Sequence, residues 1–504
     1  MTKPTTAPIR YILAATLLLA SLHAVALPQP KREFRGAWLN TVYQEQYAQQ
    51  STLDNQVYLC LLLDKLRKAG CNAVIFQVRP QSDAFYASEI ETWSKHLTGK
   101  AGKAPSPEWD PLQFMVEQAH ARGMELHAWL NPYRVTLSAN ETPPRGHIYH
   151  KHPERFVKYA GKIYFDPAYP ENRDYITRIV KDIVKRYDID AIHLDDYFYP
   201  YPVNGKQFPD NKSYRKFGKG MNRDNWRRQN VNKLIEQLHN AITATKPWVR
   251  LGISPFGIWR NKKSDPDGSD TNGLQNYDDL YADVTLWTRK GWVDYLIPQL
   301  YWELEHKAAP ALALAHWWNN HANGRHMYLG QSVKKTMDFP DIDGSGNGNQ
   351  LAHKIGLSRE LANVQGNCWW PGYLITDNYK GVADMLEERF QSSMALVPSY
   401  PWIDDIPPGE VQRLKSHCDN DGTVNLQWEP PVTDDRMQRA RAYVVYRFKK
   451  GAGIDLDNSD AIRAVTYETH FSETVPKGKY TYVVTVLDYA NNESPKGEKT
   501  DIKY

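Results

Sequence analysis

Cysteine is scarce in this sequence, which has four among 504 residues. So few cannot form the disulfide framework of a small secreted domain, and none stands in a CxxC or Cys/His pattern with the spacing of a zinc site. A bridge between Cys60, in a predicted helix, and Cys71, at the start of the next predicted strand, stays open. Neither a metal nor any other cofactor is predicted.

The sequence also lacks a marked excess of charge of either sign. Its net charge is +4 at pH 7 and it has no long basic run, so nothing indicates nucleic acid as a partner. After residue 26 it has no apolar stretch of the length that crosses a bilayer, and no transmembrane segment is predicted. With 41% hydrophobic residues, the chain has enough apolar side chains for a sizeable core.

The N-terminus carries the one long apolar run. Lys3 and Arg10 provide a basic start, residues 11–22 are mostly apolar, and Ala24-Val25-Ala26 offers a small-x-small cleavage site. We therefore expect residues 1–26 to be a secretory signal peptide. The mature chain is expected in the periplasm, at the cell surface or outside the cell, and its oligomeric state is left open.

Strand and helix patterns alternate from residue 34 to about residue 391. Continuous apolar runs, typical of strands buried on both faces of a parallel sheet, predict strands at residues 34–39, 73–78, 124–130, 189–194, 249–254, 293–301, 327–331 and 368–375. Amphipathic helix patterns lie between them. About eight such units predict the α/β class and a TIM (β/α)8 barrel. A doubly wound open sheet ranks second, because no glycine-rich dinucleotide fingerprint follows the first strand.

The C-terminal part has a different character. Four prolines between residues 398 and 408 predict a stiff connection, and strand patterns at 424–428, 442–448 and 480–487 predict a β-sandwich. Leu426-x-Trp428-x-Pro430-Pro431 and the stretch 480–488 resemble a fibronectin type III module. The predicted organisation is a signal peptide (1–26), a TIM-barrel domain (32–395), a Pro-rich linker (396–408) and a fibronectin type III-like domain (409–504).

The most informative stretch runs from Ile189 to Pro200, where a buried strand ends in two carboxylates and three aromatic residues. Unpaired acids are costly inside a sheet, but a parallel barrel gathers its functional groups at the carboxyl ends of its strands. Other predicted strand ends also carry polar and aromatic residues. The side chains expected at this mouth are Trp38, Gln77, Arg79, His127, Asn131, Arg134, Asp166, His193, Asp195, Asp196, Tyr197, Ser254, Gln299, Tyr301, Trp302 and Glu303.

Two carboxyls across a cleft, beside aromatic rings that stack on sugars, predict a glycoside hydrolase. Asp195 is expected to be the nucleophile or charge stabiliser and Glu303 the proton donor, with Glu305 or Asp166 as substitutes for Glu303. Strand alternation puts Asp196 on the opposite side from Asp195, where it would hold a sugar hydroxyl or a supporting hydrogen bond.

The basic residues of this set have two interpretations each. Arg79 and Arg134 would either bind acidic or N-acetyl groups of the substrate or pair with the acids and lower their pKa. His127 and His193 are expected to be neutral hydrogen-bonding groups rather than metal ligands. These residues and the remaining polar and aromatic members of the set are predicted to bind substrate.

Six motifs stand at these strand ends: Phe34-Arg35-Gly36-Ala37-Trp38, Gln77-Val78-Arg79-Pro80, His127-Ala128-Trp129-x-Asn131-Pro132-Tyr133-Arg134, Ile192-His193-x-Asp195-Asp196-Tyr197-x-Tyr199-Pro200, Gly252-Ile253-Ser254-Pro255-Phe256-Gly257 and Pro298-Gln299-x-Tyr301-Trp302-Glu303. Together they resemble the glycosyl-hydrolase-like family 10, whose members are exported TIM-barrel proteins. The resemblance implies an Asp after the fourth strand, here Asp195, and cell-wall glycan as substrate, especially peptidoglycan strands without stem peptides. It departs from the amylase-type pattern after the fifth strand, where Ser254-Pro255-Phe256 stands instead of an acid.

Two other functions remain open at this point. A non-catalytic glycan-binding envelope protein would keep the barrel as a scaffold and release no reducing ends. A metal-dependent deacetylase or esterase on the same polymer would be sensitive to chelators. In each case the partner is a polysaccharide, and peptidoglycan glycan is the leading candidate.

Overall fold

The computed structural model describes residues 29–342 and 348–504, so the predicted signal peptide lies outside the described residues. Eight parallel strands form a closed barrel in which each strand pairs with the next along the chain and the last pairs with the first. This confirms the predicted TIM barrel. The strands are β1 (Phe34–Leu39), β2 (Ala73–Arg79), β3 (Glu125–Leu130), β4 (Ala191–Leu194), β5 (Arg250–Ile253), β6 (Tyr295–Leu296), β7 (His326–Ser332) and β8 (Val364–Trp370).

The apolar runs form strands because both of their faces are covered. Along β2 every residue is buried: Ile75 faces the barrel interior, and Val74 and Phe76 pack against the outer helices. Because of this alternation, every second residue of a strand faces inward, up to the mouth of the barrel. Side chains that fill the interior include Phe34, Ile75, Tyr295, Tyr328 and Cys368.

Two strands differ from their predicted bounds by more than two residues at one end or both. β6 spans only Tyr295–Leu296, because Pro298 has no N–H for the ladder; parallel pairing resumes as an isolated bridge at Gln299, which pairs with Phe256 and Gly330. β8 spans Val364–Trp370, so it begins earlier than predicted and ends before Pro371. The chain then forms the short helix Tyr373–Thr376 where a strand was predicted.

Helices surround the barrel and bury the leucine stripe that their periodicity predicts, as Leu59, Leu62, Leu63 and Leu66 do. A β-hairpin, Phe156–Tyr159 with Lys162–Phe165, extends the loop after β3. No helix within 29–342 and 348–504 is both long and apolar enough to cross a membrane. The α-helices are Gln46–Gln49, Thr52–Lys68, Lys95–Thr98, Pro111–His120, Pro170–Arg186, Asn211–Phe217, Arg223–Thr245, Asn276–Asp279, Val284–Lys290, Ala311–Asn320, Val333–Asp338, Leu351–Glu360, Tyr373–Thr376 and Val382–Met385.

The C-terminal part is a sandwich of two antiparallel sheets, with strand orders β9–β10–β13 and β12–β11–β14–β15. Alternate residues of β10, among them Val424, Leu426 and Trp428, fill the core between the sheets. The resemblance to fibronectin type III modules stays a prediction. The strands are β9 (Gln412–Cys418), β10 (Thr423–Glu429), β11 (Ala442–Lys449), β12 (Ile462–Thr466), β13 (His470–Thr474), β14 (Lys479–Leu487) and β15 (Glu498–Lys503).

The sandwich packs against the amino-terminal end of the barrel. Arg441 of the loop entering β11 lies 2.5 Å from a carboxylate oxygen of Asp188 and 2.9 Å from one of Asp190, just before β4. In the segment predicted as a linker, the Tyr400 hydroxyl lies 2.8 Å from that of Tyr328, inside the barrel floor. These contacts therefore lie at the end of the barrel opposite the carboxyl ends of its strands.

The four cysteines are free thiols in the described part of the chain. Cys60 donates to Gln118 Oε1 at 3.4 Å, and Cys71 is buried in the core. The bridge that the sequence left open between them is therefore not formed.

Candidate active site

A cavity of about 190 Å³ opens at the carboxyl ends of the barrel strands, on the side opposite the sandwich. Nearly all of its walls come from residues at or just after strand ends, as expected for a parallel barrel. The lining residues are Trp38, Asn40, Val42, Tyr43, Gln77, Trp129, Arg134, Asp195, Asp196, Tyr197, Ser254, Gln299, Tyr301 and Trp370.

Asp195 follows the last residue of β4 and borders the cavity with a carboxylate held by two donors. Trp129 Nε1 donates to its Oδ2 at 3.1 Å, and Asn131 Nδ2 lies 3.1 Å from both of its oxygens. Burial raises the pKa of Asp195, while the charge of Arg134 and these hydrogen bonds oppose that rise. The donors fix the orientation of the carboxylate and favour its ionised form.

Asp196 borders the same cavity in a different environment. Burial, reinforced by the negative charge of Asp195, raises the pKa of Asp196 to about 7. The Tyr201 hydroxyl donates to its carboxylate, and Gln299 also contacts it. The two adjacent carboxyls therefore differ in proton affinity, and Asp196 retains its proton close to neutral pH.

The two acids lie on the same side of the strand end, whereas strand alternation predicts that they lie on opposite sides. That prediction extended strand alternation through Asp196, whereas β4 ends at Leu194. After that residue the chain leaves the pleated geometry, and both carboxyls border one cavity.

His193 lies under the cavity as a neutral imidazole. Burial holds its pKa well below the usual value of 6.5. Its Nε2 accepts from Trp38 Nε1 at 3.3 Å and lies 3.0 Å from Ser254 Oγ, while Nδ1 lies 3.1 Å from the Tyr295 hydroxyl. The ring therefore fixes the positions of Trp38 and Ser254, which line the cavity.

His127 lies deeper in the barrel, between Glu125 Oε2 at 3.0 Å and the Tyr295 hydroxyl at 2.8 Å. It does not line the cavity. Across 29–342 and 348–504, no group of three or more His, Cys, Asp or Glu side chains is arranged to hold a metal ion.

The two arginines of the predicted set have separate positions. Arg79 is fully buried and pairs with Glu91, Nε to Oε2 at 2.7 Å and Nη2 to Oε1 at 2.8 Å, so it reaches neither the cavity nor its acids. Arg134 lines the cavity; its Nε and Nη2 donate to the Pro80 carbonyl, and its guanidinium lies 5.2 Å from the ring centre of Tyr197. Only Arg134 influences the electrostatics of the cavity, through its effect on Asp195.

Glu303 is not among the residues that border the cavity. Its carboxylate lies 3.9 Å from His306 Nε2 and 4.0 Å from Lys335 Nζ, on the side of the outer helices. The neighbouring Trp302 packs edge-on against Phe256, with ring centres 5.5 Å apart. Beyond β6 the inward positions Ile297, Gln299 and Tyr301 still follow the alternation of the strand, which no longer holds at Glu303.

The two substitutes for Glu303 are not in the cavity either. Glu305 is solvent-exposed. Asp166 accepts from the backbone N–H of Ala168 at 3.0 Å, in the turn before the helix Pro170–Arg186, and burial raises its pKa to about 6. The cavity thus holds Asp195 and Asp196 as its only carboxylates among the described lining residues.

Several lining residues were absent from the predicted set. Trp129 and Trp370 line the cavity side by side and pack edge-to-face, with ring centres 6.0 Å apart. Both belong to barrel strands, and Trp370 ends β8, so the strand-end rule applied to every strand finds them. Asn40, Val42 and Tyr43 come from the loop after β1, and no local sequence signal indicates that this loop folds over the mouth.

Comparisons of sequence and structure relate the chain to known proteins. The family model described as glycosyl hydrolase-like 10 matches residues 33–343. The chain is 38% identical to the glycosyl hydrolase YngK of Bacillus subtilis over 497 residues, covering 95% of each chain. It is 35% identical to the glycosyl hydrolase DigH of Escherichia coli K12 over 392 residues, covering 72% of this chain and 89% of that one. The solved catalytic domain of β-amylase from Paenibacillus polymyxa is 10% identical, covers 72% of this chain and 99% of its own, and has a TM-score of 0.46, too distant to bear on function.

Proposed function

The chain belongs to the glycosyl hydrolase-like 10 family, and from this premise we propose that it hydrolyses glycosidic bonds with the carboxyl groups of Asp195 and Asp196. One observation carries the proposal: two carboxyls border a single cavity yet have different proton affinities. An ionised and a protonated carboxyl at one site are what this chemistry requires.

In the proposed reaction, Asp196 gives its proton to the glycosidic oxygen as the bond from that oxygen to the anomeric carbon breaks. The carboxylate of Asp195 attacks or stabilises the positive charge that develops on the anomeric carbon. Water then supplies the new oxygen substituent and returns a proton to the site. Asp196 replaces Glu303 as the proposed donor, because the carboxylate of Glu303 contacts His306 and Lys335 instead of the cavity.

We extend the proposal to peptidoglycan glycan strands as substrate and to export of the chain. The family resemblance supports the first extension, and the basic-apolar-small pattern of residues 1–26 supports the second. The indole and phenol rings along the cavity fit a polymer of sugars, whose C–H faces stack on aromatic systems. These rings are Trp38, Trp129, Tyr197, Tyr301 and Trp370.

The test is hydrolysis of purified peptidoglycan glycan strands, with and without stem peptides, by the mature chain. Mass spectrometry identifies the products, and new reducing ends give the rate. Replacement of Asp195 by Asn keeps the size of the side chain and removes its charge, and the remaining oxygen can still accept from Trp129 and Asn131. We expect Asp195→Asn to lower kcat by about 10³-fold or more while glycan binding and folding persist.

The matched control is Asp182→Asn, which alters a carboxylate on an outer helix that pairs with Arg186 at 3.1 Å. That variant should retain wild-type turnover. Substantial turnover by Asp195→Asn would contradict the catalytic role of Asp195. Tight glycan binding by the wild type without any new reducing end would favour a non-catalytic glycan-binding protein.

A further inference from the structure

A second cavity, of about 490 Å³, lies beside the candidate active site. Tyr43 lines both cavities and marks the place where they meet. The second cavity contributes nothing to the contacts of Asp195 and Asp196, so the proposed chemistry leaves it without a role.

The walls of the two cavities are continuous along the chain. In the loop after β1, Val42 lines the first cavity and Gln44 the second. In the loop after β3, Arg134 lines the first cavity and Ser138 the second. Because each loop passes from one cavity to the other, the two form a single groove that crosses Tyr43.

Tyr43 is held in an unfavourable position at this junction. Its side chain is 71% exposed, and its φ of 61° lies in the left-handed region that bulky residues rarely adopt. The turn that imposes this conformation is fixed from below: Gln77 Oε1 accepts from the backbone N–H groups of Thr41 and Val42, each at 3.0 Å. Backbone strain of this kind is concentrated at functional sites. Here it holds an aromatic ring in solvent at the rim of the active site.

The second cavity has both apolar and polar lining residues, and two of its charged groups, Lys95 and Glu141, pair with each other. Lys95 Nζ lies 2.8 Å from Glu141 Oε1, while Glu141 Oε2 accepts from the Leu137 N–H at 2.7 Å. Gln81 also donates to this carboxylate, which is therefore fully engaged and unsuited to act as an acid or base. A surface of mixed apolar and polar groups, with this pair of charges compensated, suits the C–H faces and hydroxyl groups of sugars better than an ion.

We propose that the second cavity binds further saccharide units of the glycan, with the ring of Tyr43 stacking on a sugar between the two cavities. We therefore expect the protein to prefer extended polysaccharide over short oligosaccharides. The inference rests on the proposed glycoside hydrolase activity and deepens it, because a groove on one side of the reacting bond rewards chain length.

The test measures kcat/KM on peptide-free peptidoglycan glycans fractionated into di-, tetra-, hexa- and octasaccharides. For the wild type we expect kcat/KM to rise by about 10- to 100-fold with length before it levels off. Ser138→Trp fills the second cavity, and Tyr43→Ala removes the ring at the junction. Each should lower kcat/KM about tenfold more for the longest glycans than for the shortest that is cleaved.

Two controls separate this effect from general damage. Ser138→Ala changes the same position without filling the cavity, and Leu53→Ala removes another exposed apolar side chain that borders neither cavity. Both should keep the wild-type length dependence. A wild-type rate independent of length, or equal losses at every length in both cavity variants, would overturn the inference while leaving the hydrolase intact. Absence of product from every glycan would overturn the proposed function and this inference together.

Discussion

Replacement of Asp196 by Asn tests whether this residue is protonated near neutral pH and donates the proton. Asn keeps the shape of the side chain but neither titrates nor gives up a proton. Loss of general acid catalysis lowers rates by about 10²- to 10⁴-fold, and we expect a fall in kcat within that range for Asp196→Asn. The wild type should have a bell-shaped pH profile, with one limb near pH 7 where Asp196 ionises and the other where Asp195 takes up a proton.

The raised pKa of Asp196 also makes the stability of the fold depend on pH. Folding raises the pKa of Asp196 from 3.8 to about 7, so between these values the folded state binds more protons than the unfolded state. The stabilising contribution is complete below pH 3.8 and is lost as pH rises through about 7. At 1.36 kcal/mol for each pH unit, this loss amounts to about 4 kcal/mol. The Asp196→Asn variant lacks this titrating group. Its free energy of unfolding should therefore rise by about that much relative to the wild type's between acidic and mildly alkaline pH.

Urea unfolding of both proteins at a series of pH values measures this difference. Asp83→Asn is the matched control, because burial raises the pKa of Asp83 to about 7 but its side chain does not line the cavity. It should show a similar pH-dependent gain in stability and retain wild-type kcat. The reasoning is refuted if the unfolding free energies of Asp196→Asn and the wild type run parallel across this pH range, or if Asp196→Asn turns over normally.

The remaining predictions concern the donor assignment and the contact between the domains. Glu303→Gln should keep kcat within about threefold of the wild type, since its carboxylate lies outside the cavity; a larger loss than that of Asp196→Asn would return the donor role to Glu303. Arg441→Met removes the cation that pairs with Asp188 and Asp190, and should lower the free energy of unfolding by about 3–5 kcal/mol in urea titrations. Its kcat at low temperature should be unchanged, because the contact lies at the opposite end of the barrel; a large fall in kcat would show that the sandwich influences the site.

Much of the barrel follows from the sequence, because a strand buried on both faces needs an unbroken apolar run. The first strand, Phe34–Leu39, has the predicted bounds. Inward alternation also leads to Trp38 and Gln77, which lie near the carboxyl ends of their strands and line the cavity. These predictions succeed because the period of two in a regular strand fixes which side chains share a face.

The predictions fail where the regular strand ends. Glu303 was reached by extending the alternation of β6 beyond Tyr301. That alternation holds for Ile297, Gln299 and Tyr301, but the carboxylate of Glu303 lies near His306 and Lys335, outside the cavity. Asp196 was placed away from Asp195 for the same reason. In both cases the side-chain direction depends on long-range packing and not on local periodicity.

By itself the sequence determined the barrel, the sandwich after it and the position of Asp195 at a strand end, since apolar periodicity and the cost of burying an unpaired acid act locally. Only the tertiary structure decided that Asp196 shares the cavity of Asp195 and acquires a pKa of about 7. It alone brought Tyr43 to the rim of that cavity. The pKa of Asp196 and the groove between the loops depend on groups that are distant along the chain. Only folding brings these groups together and removes them from water.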